Sequence, residues 1–505
     1  MIRDPTALDQ EFDLLVVGGG IYGAWTAWDA ALRGLRTALV EANDWASATS
    51  SRSSKLLHGG LRYLERGDVG LVRKALVERE RLLRLGPHRT WPLHFVVPAT
   101  PGARYRGLPL ALGLWAYDHL APPGLGERRA RPWTGHEVLG AAPFLHPGTT
   151  SAWTYGDAGT DDARLVLELV DGVLRAGGVA VNGARVTRLV ENQGRIAGAE
   201  VACDGRNSTV RARSTVVCAG PWAAQVAGLD PGSVRLTKGI HVALPPLPVA
   251  GPWATEDTAF LLNHPTDGRV FFLIPWYGMT LVGTTDTDTT DPHEGVTEGE
   301  IAYLLAGVAA ACPGLGWGRG DVRSAWAGVR TLLAAQGHAS AISREWSLVR
   351  RPGLFASLGG KLTSARIEAE RIVDAVEDDL GRPRTPSPTR TQPLPWCPTL
   401  PWPDACAEAI RHGQAWGWSP ARSLTALRRH GQRLGTLWLH LEEHPEDANL
   451  LHPDLPLCRG ELALAAQNML LPGQDPLART PVGLLVGNDV SRGTAQPEAG
   501  PGPGG

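Results

Sequence analysis

The run Phe12–Gly20, "FDLLVVGGG", limits the fold more than any other part of the chain. An apolar, β-branched stretch that ends in glycines is what a strand buried on both faces of a parallel sheet requires. "IYGAWTAWDAALRG" follows with helical spacing and stops at Gly34, a natural C-cap. "LRTALVE" then supplies a second buried strand that closes on Glu41. Gly18-Gly19-Gly20-Ile21-Tyr22-Gly23 fills the pattern G-x-G-x-x-G, which alone is weak, because 61 of the 505 residues are glycine. Its setting gives it weight: a strand before it, a helix after it, and an acid 23 residues beyond Gly18. In such a unit Gly18 makes the tight turn and Gly20 lets backbone approach a pyrophosphate. Gly23 permits close helix–strand packing, the helix N-terminus with Ile21 faces the phosphates, and Glu41 accepts from a ribose hydroxyl.

Composition removes several alternatives. Formal charge is near neutral (Lys+Arg 49, Asp+Glu 51), so no basic field argues for nucleic acid. The 6 cysteines contain no C-x-x-C and no cluster, which argues against a zinc site or a disulfide framework, and no metal is expected. The opening "MIRDPTALDQEFD" is polar and acidic and reads as no signal peptide. No apolar run approaches the roughly 20 residues that a membrane helix needs, while attachment to a bilayer surface stays open. Lysine occurs at only four positions, 55, 74, 238 and 361. Those in "SSKLLHGG", "TKGIH" and "GGKLTS" are candidates for sites where a compact ammonium matters.

The expected architecture is α/β: a discontinuous Rossmann-like cofactor domain, an antiparallel β substrate domain and a C-terminal helical domain. The cofactor domain is assigned to 10–95, 150–234 and 346–380, and the substrate domain to 96–149 and 235–345. Residues 70–85 read as an amphipathic helix packed on the core, and "VTRLVENQGRIAGAEVA" as a hairpin turning at Gln193-Gly194. "GRPRTPSPTRTQPLPWCPTLPWPDAC" (381–406) is Pro-dense and reads as an extended linker. Helices follow over 407–490 as a cap, and 491–505 is expected to be a disordered tail. Further glycine turns at Gly220 and Gly359-Gly360 suit a long cofactor stretched across the domain. A Gly-Gly at a helix start can aim a positive dipole at a flavin ring, which favours FAD over a nicotinamide cofactor.

The segment "VVGGGIYGAWTAWDAALRGLRTALVEANDWASATSSRSSKLLHGGLRYLE" resembles the N-terminus of FAD-dependent, aerobic-type glycerol-3-phosphate dehydrogenases. The likeness continues through "WAYDHL", "DDARLVLELV", "CAGPWA", "TKGIHVALP", "FLIPWYGMTLVGTTDTD", "GVRTLL" and "GGKLTSARIEAE", over roughly residues 12–375. It implies oxidation of sn-glycerol 3-phosphate to dihydroxyacetone phosphate by hydride transfer from C2 to flavin N5, with a quinone as the electron acceptor. It implies FAD contacts at Gly18, Gly20, Ile21, Gly23, Glu41, Ser50, Ser51, Ser54, Lys55, Leu56, His58, Gly59 and Gly60. Further contacts are implied at Val186, Ala219, Gly220, Gly359, Gly360, Lys361 and Leu362.

On the substrate side Arg62, Tyr63 and Thr363 are implied to bind, and His241, Arg330, Arg344 and Lys361 to act in catalysis. Arg has the fork geometry that phosphate favours, Lys supplies a compact charge, and His241 is the preferred proton acceptor. The chain departs from the family at Thr331, where proline is expected, and at Gln467-Asn468, where the family has a His-Glu pair. The resemblance also implies a cytoplasmic protein on the inner face of the cytoplasmic membrane, with a homodimer among the partners considered. The competing readings are a same-fold flavin enzyme for another hydroxy acid or amine, and a flavin-binding protein without turnover.

Overall fold

β1 (Glu11–Val17) and β2 (Thr37–Glu41) lie parallel, joined through α1 (Ile21–Leu32). Gly18 turns the chain from strand to helix at φ +111°, and a Cβ on Gly23 would stand 1.8 Å from the Gly18 carbonyl oxygen. The motif therefore sets how closely α1 crosses the end of β1. The structure is a computed structural model that describes residues 3–65, 67–122, 129–254, 257–334, 346–466, 471, 474, 475, 477 and 480–485.

Two sheets build the body. In the first, the order is Trp346–Arg351, Leu354–Gly359, Arg206–Val217, β1, β2 and Val179–Asn182, with the hairpin Ala184–Asn192/Arg195–Cys203 attached to Arg206–Val217. The hairpin turns at Gln193 (φ 49°) and Gly194 (φ 74°), the left-handed pair that a tight hairpin demands. α1 packs one face of this sheet together with helices Asp162–Arg175 and Ala365–Asp379. The second sheet runs Thr287–Thr289, Val234–Leu244, Met279–Gly283, Val270–Trp276, Thr258–Asn263, Thr90–Pro98, Ser151–Thr160 and Leu56–Leu57, with Ser324–Leu333 and Arg131–Thr134 paired alongside. It is mixed rather than antiparallel throughout, because Thr258–Asn263 runs parallel to Thr90–Pro98. Leu56–Leu57, Thr90–Pro98 and Ser151–Thr160 extend this sheet, so the chain crosses between the sheets more often than the expected boundaries allow.

α2 (Leu61–Leu64), α3 (Val69–Leu85) and α4 (Gly107–Leu120) pack beside the second sheet. Residues 381–401 have no regular structure beyond one helical turn at Pro388–Arg390, the helix Trp402–Ala415 takes up the rest of the Pro-dense stretch, and the segment is not a detached linker. Leu394 and Trp396 are buried in the core, and Trp396 donates its backbone N–H to Glu168 and its indole N–H to Asp171, both at 2.7 Å. Helices Trp402–Ala415, Pro420–His430, Leu434–Glu443, Gly460–Ala466 and Val482–Leu485 follow. Arg89 binds them to the body: it pairs with Glu168 at 2.9 Å and donates to the carbonyls of Arg428 and Arg429 at 3.1 Å. Gln467-Asn468 and the tail 491–505 lie outside the described residues.

Candidate functional site

A cavity of about 780 Å³ is lined by residues from both sheets, a size within the range of ligand pockets. One half is built from the G-x-G-x-x-G unit, with Gly18, Gly20, Ile21, Tyr22 and Glu41 on its wall. Glu41 is held rigidly: the Gly19 N–H donates to its Oε2 at 2.6 Å and the Asn43 N–H to its Oε1 at 2.7 Å. Burial raises the pKa of this carboxyl above its ordinary value. Ser50 Oγ accepts from the Ile21 N–H at 2.9 Å, so the Ser-rich loop rests against the positive end of α1. Val186, Ala219 and Gly220 add to this half.

The turn Gly359-Gly360 closes the far wall, together with Lys361, Leu362 and Thr363. Gly359 and Gly360 take φ 72° and 97°, conformations that favour glycine, and a Cβ on Gly360 would stand 1.8 Å from the Tyr22 hydroxyl. That hydroxyl accepts the Lys361 N–H at 2.9 Å and donates to Glu368, tying the start of α1 to this turn. Burial and the Glu368 charge keep Tyr22 protonated, so it remains a donor.

The other half carries charge. Lys361 Nζ sits 3.5 Å above the Tyr63 ring. Arg330 donates to Thr284 Oγ1 at 2.7 Å and pairs with Asp286 at 3.3 Å. His58 donates its N–H to Thr363 Oγ1 at 3.1 Å. All of these except Glu368 line the cavity, as do Ser50, Ser54, Leu56 and Gly60.

Several of the expected residues stand off the cavity wall. His241 is buried and is not part of the cavity wall; its ring stacks on Trp326, and its Nε2 lies 2.9 Å from Ser54 Oγ, which is on the wall. Burial first, then Arg330 and Lys55, push its pKa down to about 3, so the imidazole is neutral. Lys55 does not reach the cavity. At φ 57° its side chain turns inward to a buried pair with Asp162 at 2.6 Å and to the Ser51 carbonyl. Ser51 is likewise off the wall and serves through that carbonyl. Gly59 is a packing glycine: its N–H donates to Tyr117 at 2.8 Å and a Cβ there would meet Tyr117 and Leu76. Gly23 acts in helix–strand packing, away from the wall.

Of the three glycine-flanked lysines, Lys361 lines the cavity and Lys238 is paired with Glu294 and Glu300. Arg344 and the side chain of Arg62 lie outside the described residues. Sequence reasoning assigned no role to Tyr22, Arg52, Tyr155, Arg269, Phe272 and Asp286, which also line the cavity. Tyr22 occupies a variable position of the glycine motif. Arg269 and Asp286 flank strand ends of the second sheet and Phe272 lies within the strand Val270–Trp276, where alternation identifies a strand but not a site.

The match to the family model described as FAD dependent oxidoreductase spans residues 13–375. A D-erythritol 1-phosphate dehydrogenase from Brucella abortus is 40% identical over 382 residues, 71% of this chain and 72% of that protein. A glycerol-3-phosphate dehydrogenase from Synechocystis sp. is 33% identical over 490 residues, 92% of this chain and 87% of that protein. The structure of a glycerol-3-phosphate dehydrogenase from Bacillus halodurans complexed with FAD matches with a TM-score of 0.73 at 29% identity, covering 95% of this chain and 88% of that one. The residues present fit FAD: a fixed acid for a ribose, glycine turns where a Cβ would intrude, and a helix N-terminus for the pyrophosphate.

Proposed function

The chain belongs to the FAD-dependent oxidoreductases, within the glycerol-3-phosphate dehydrogenase family, and from that premise we propose that it oxidises sn-glycerol 3-phosphate to dihydroxyacetone phosphate. Bound FAD supplies the two-electron acceptor for the C2 hydride, and a membrane quinone takes the electrons onward. One observation carries the reading: Arg330 and Lys361, brought from distant parts of the chain, line the cavity together with Tyr63, Thr363 and Ser54. A phosphate dianion calls for more than one cation, and Arg62 and Arg344 are the further sequence candidates.

In this mechanism Arg330 and Lys361 hold the phosphate, each already oriented by its neighbours. Ser54 meets the C2 hydroxyl and passes its proton to His241, since the hydroxyl lies 2.9 Å from Nε2. Arg330 is one cause of the depressed His241 pKa. Burial is the larger cause, so a dianion seated on Arg330 offsets only the lesser one.

A second reading, a longer polyol phosphate, is favoured by the 40% identity to the D-erythritol 1-phosphate dehydrogenase. The test is anaerobic mixing of the flavin-loaded protein with sn-glycerol 3-phosphate, D-erythritol 1-phosphate, glycerol and an amino acid. Fast bleaching by glycerol 3-phosphate supports the first reading, and faster bleaching by the erythritol ester transfers the assignment to the second. Bleaching only by an amine or a non-phosphorylated acid rejects both.

A further inference from the structure

We propose that Lys74 and Glu368 are positioning residues that set the reduction potential of the bound flavin, acting through Tyr22 on the turn 359–361. Lysine is the scarce cation of this chain, and Lys74 is the one lysine of the four with no glycine near it in sequence. It stands on α3, and its Nζ pairs with Glu368 Oε1 at 2.6 Å. The other oxygen of that carboxylate accepts from the Tyr22 hydroxyl, and the same hydroxyl accepts the Lys361 N–H at 2.9 Å. Tyr22, Gly359, Gly360 and Lys361 line the cavity, whereas Glu368 and Lys74 stand behind them. One line of contacts thus runs from α3 through helix Ala365–Asp379 and α1 to the cavity wall.

Paired glycines before a helix make the turn 359–361 a wall suited to a flavin ring. Glu368 lies directly behind it: a Cβ on Gly360 would stand 3.2 Å from Glu368 Oε2, so a single layer of backbone separates this charge from the cavity. Glu368 is 1% exposed, and little water screens it. It also falls in the first turn of helix Ala365–Asp379, where a negative charge offsets the positive helix end. Lys74 in turn offsets Glu368. A nearby negative charge disfavours electrons added to a flavin and a positive one favours them. The carboxylate touches the wall residue Tyr22 and the ammonium touches the carboxylate, so removing either charge exposes the flavin to the other.

Tyr22 passes this balance to the wall. Its proton points at Glu368 and its oxygen takes the Lys361 N–H, which is thereby drawn away from the cavity. α3 holds the other glycine pair in the same manner. Arg79 Nη1 pairs with Asp157 at 2.7 Å, Tyr117 donates to Asp157 at 2.9 Å, and the Gly59 N–H donates to Tyr117 at 2.8 Å. Each relay runs from a cation of α3 through a carboxylate and a tyrosine to one backbone N–H at a glycine turn. Arg79 is wholly buried, while the Lys74 side chain keeps 22% exposure and can be changed with less damage. A separate pair, Glu78 with Arg366 at 2.9 Å, joins α3 to helix Ala365–Asp379 without Lys74.

The test reads the flavin potential directly, by reducing the FAD-loaded protein chemically in equilibrium with an indicator dye of known potential. Lys74→Met is expected to lower the potential and Glu368→Gln to raise it, each by about a tenfold change in the reduction equilibrium, about 30 mV for a two-electron couple. The double variant is expected to return close to the wild type, and Lys74→Arg, which keeps the charge, to stay there. A merely structural tie would lower the melting temperature of both single variants without shifts of opposite sign. Single variants that shift in the same direction, or do not shift, overturn the inference. Should either fail to hold flavin, Tyr22→Phe is read in its place. It removes the oxygen that takes the Lys361 N–H and leaves that N–H to the cavity, so a smaller rise is expected, and an unchanged or lowered potential overturns the inference. No substrate enters the measurement, so its outcome is independent of whether glycerol 3-phosphate is the reductant.

Discussion

The two halves of the cavity are made of different materials. The half around Gly18–Glu41 presents backbone: N–H groups, glycine turns and one carboxylate fixed by the Gly19 and Asn43 N–H groups. The half around Arg330 and Lys361 presents long charged side chains, each held by Thr284, Asp286 or Tyr63. Backbone recognition tolerates almost no added atom, whereas side-chain recognition can be cut away one charge at a time. Substitutions should therefore separate flavin loading from substrate use.

The largest expected effect is in the backbone half. Gly23→Val drives side-chain atoms into the Gly18 carbonyl, and we expect a loss of more than about 4 kcal/mol and no flavin-loaded protein; flavin absorbance per chain and the melting curve read it. Lys55→Met tests the segment joining the halves. It leaves Asp162 buried without its partner, for a loss of about 3–5 kcal/mol in a melting experiment, while KM of the protein that stays folded is unchanged. A loss of flavin from the protein that stays folded would instead return Lys55 to the cofactor side.

In the charged half, Arg330→Met and Lys361→Met should each lower kcat/KM for glycerol 3-phosphate by about 10- to 100-fold with full flavin content, as losing a charged hydrogen bond implies. Ser54→Ala should slow bleaching about tenfold with little change in substrate binding; equal, small effects on both would remove the Ser54–His241 relay. A separate effect concerns pH. The His241 pKa in the folded protein is about 3, below its ordinary value of 6.5, so the unfolded chain takes up the proton first. The stability this group contributes is complete above pH 6.5 and is lost as pH falls toward 3. His241→Asn should flatten the melting temperature against pH in that window.

The same contrast explains what the sequence made legible. The first half could be read because its geometry is local: Gly18, Gly20, Gly23 and Glu41 act within one strand–helix–strand unit, and the spacing is the structure. The return of glycine turns at Gly220 and Gly359-Gly360 was readable for the same reason. Lys55 misled because its composition, a lysine among serines before Gly-Gly, carries no sign of the φ 57° that turns it toward Asp162. His241 could be chosen by type and family position, but its seat behind Ser54 comes from pairing Val234–Leu244 with Ser324–Leu333, which stacks it on Trp326. Arg269 and Asp286 had no local signal, since tertiary convergence alone brings them to the wall. The boundary between the sheets was blurred because Thr90–Pro98 and Ser151–Thr160 are strands of the kind either sheet accepts.

The most direct test of the division of labour compares glycerol 3-phosphate with glycerol as reductants of the bound flavin, in the wild type and in Arg330→Met/Lys361→Met. The account predicts a large advantage for the phosphate ester in the wild type that shrinks at least a hundredfold in the double variant, with flavin content unchanged. An undiminished advantage would contradict it, and so would its loss together with the flavin.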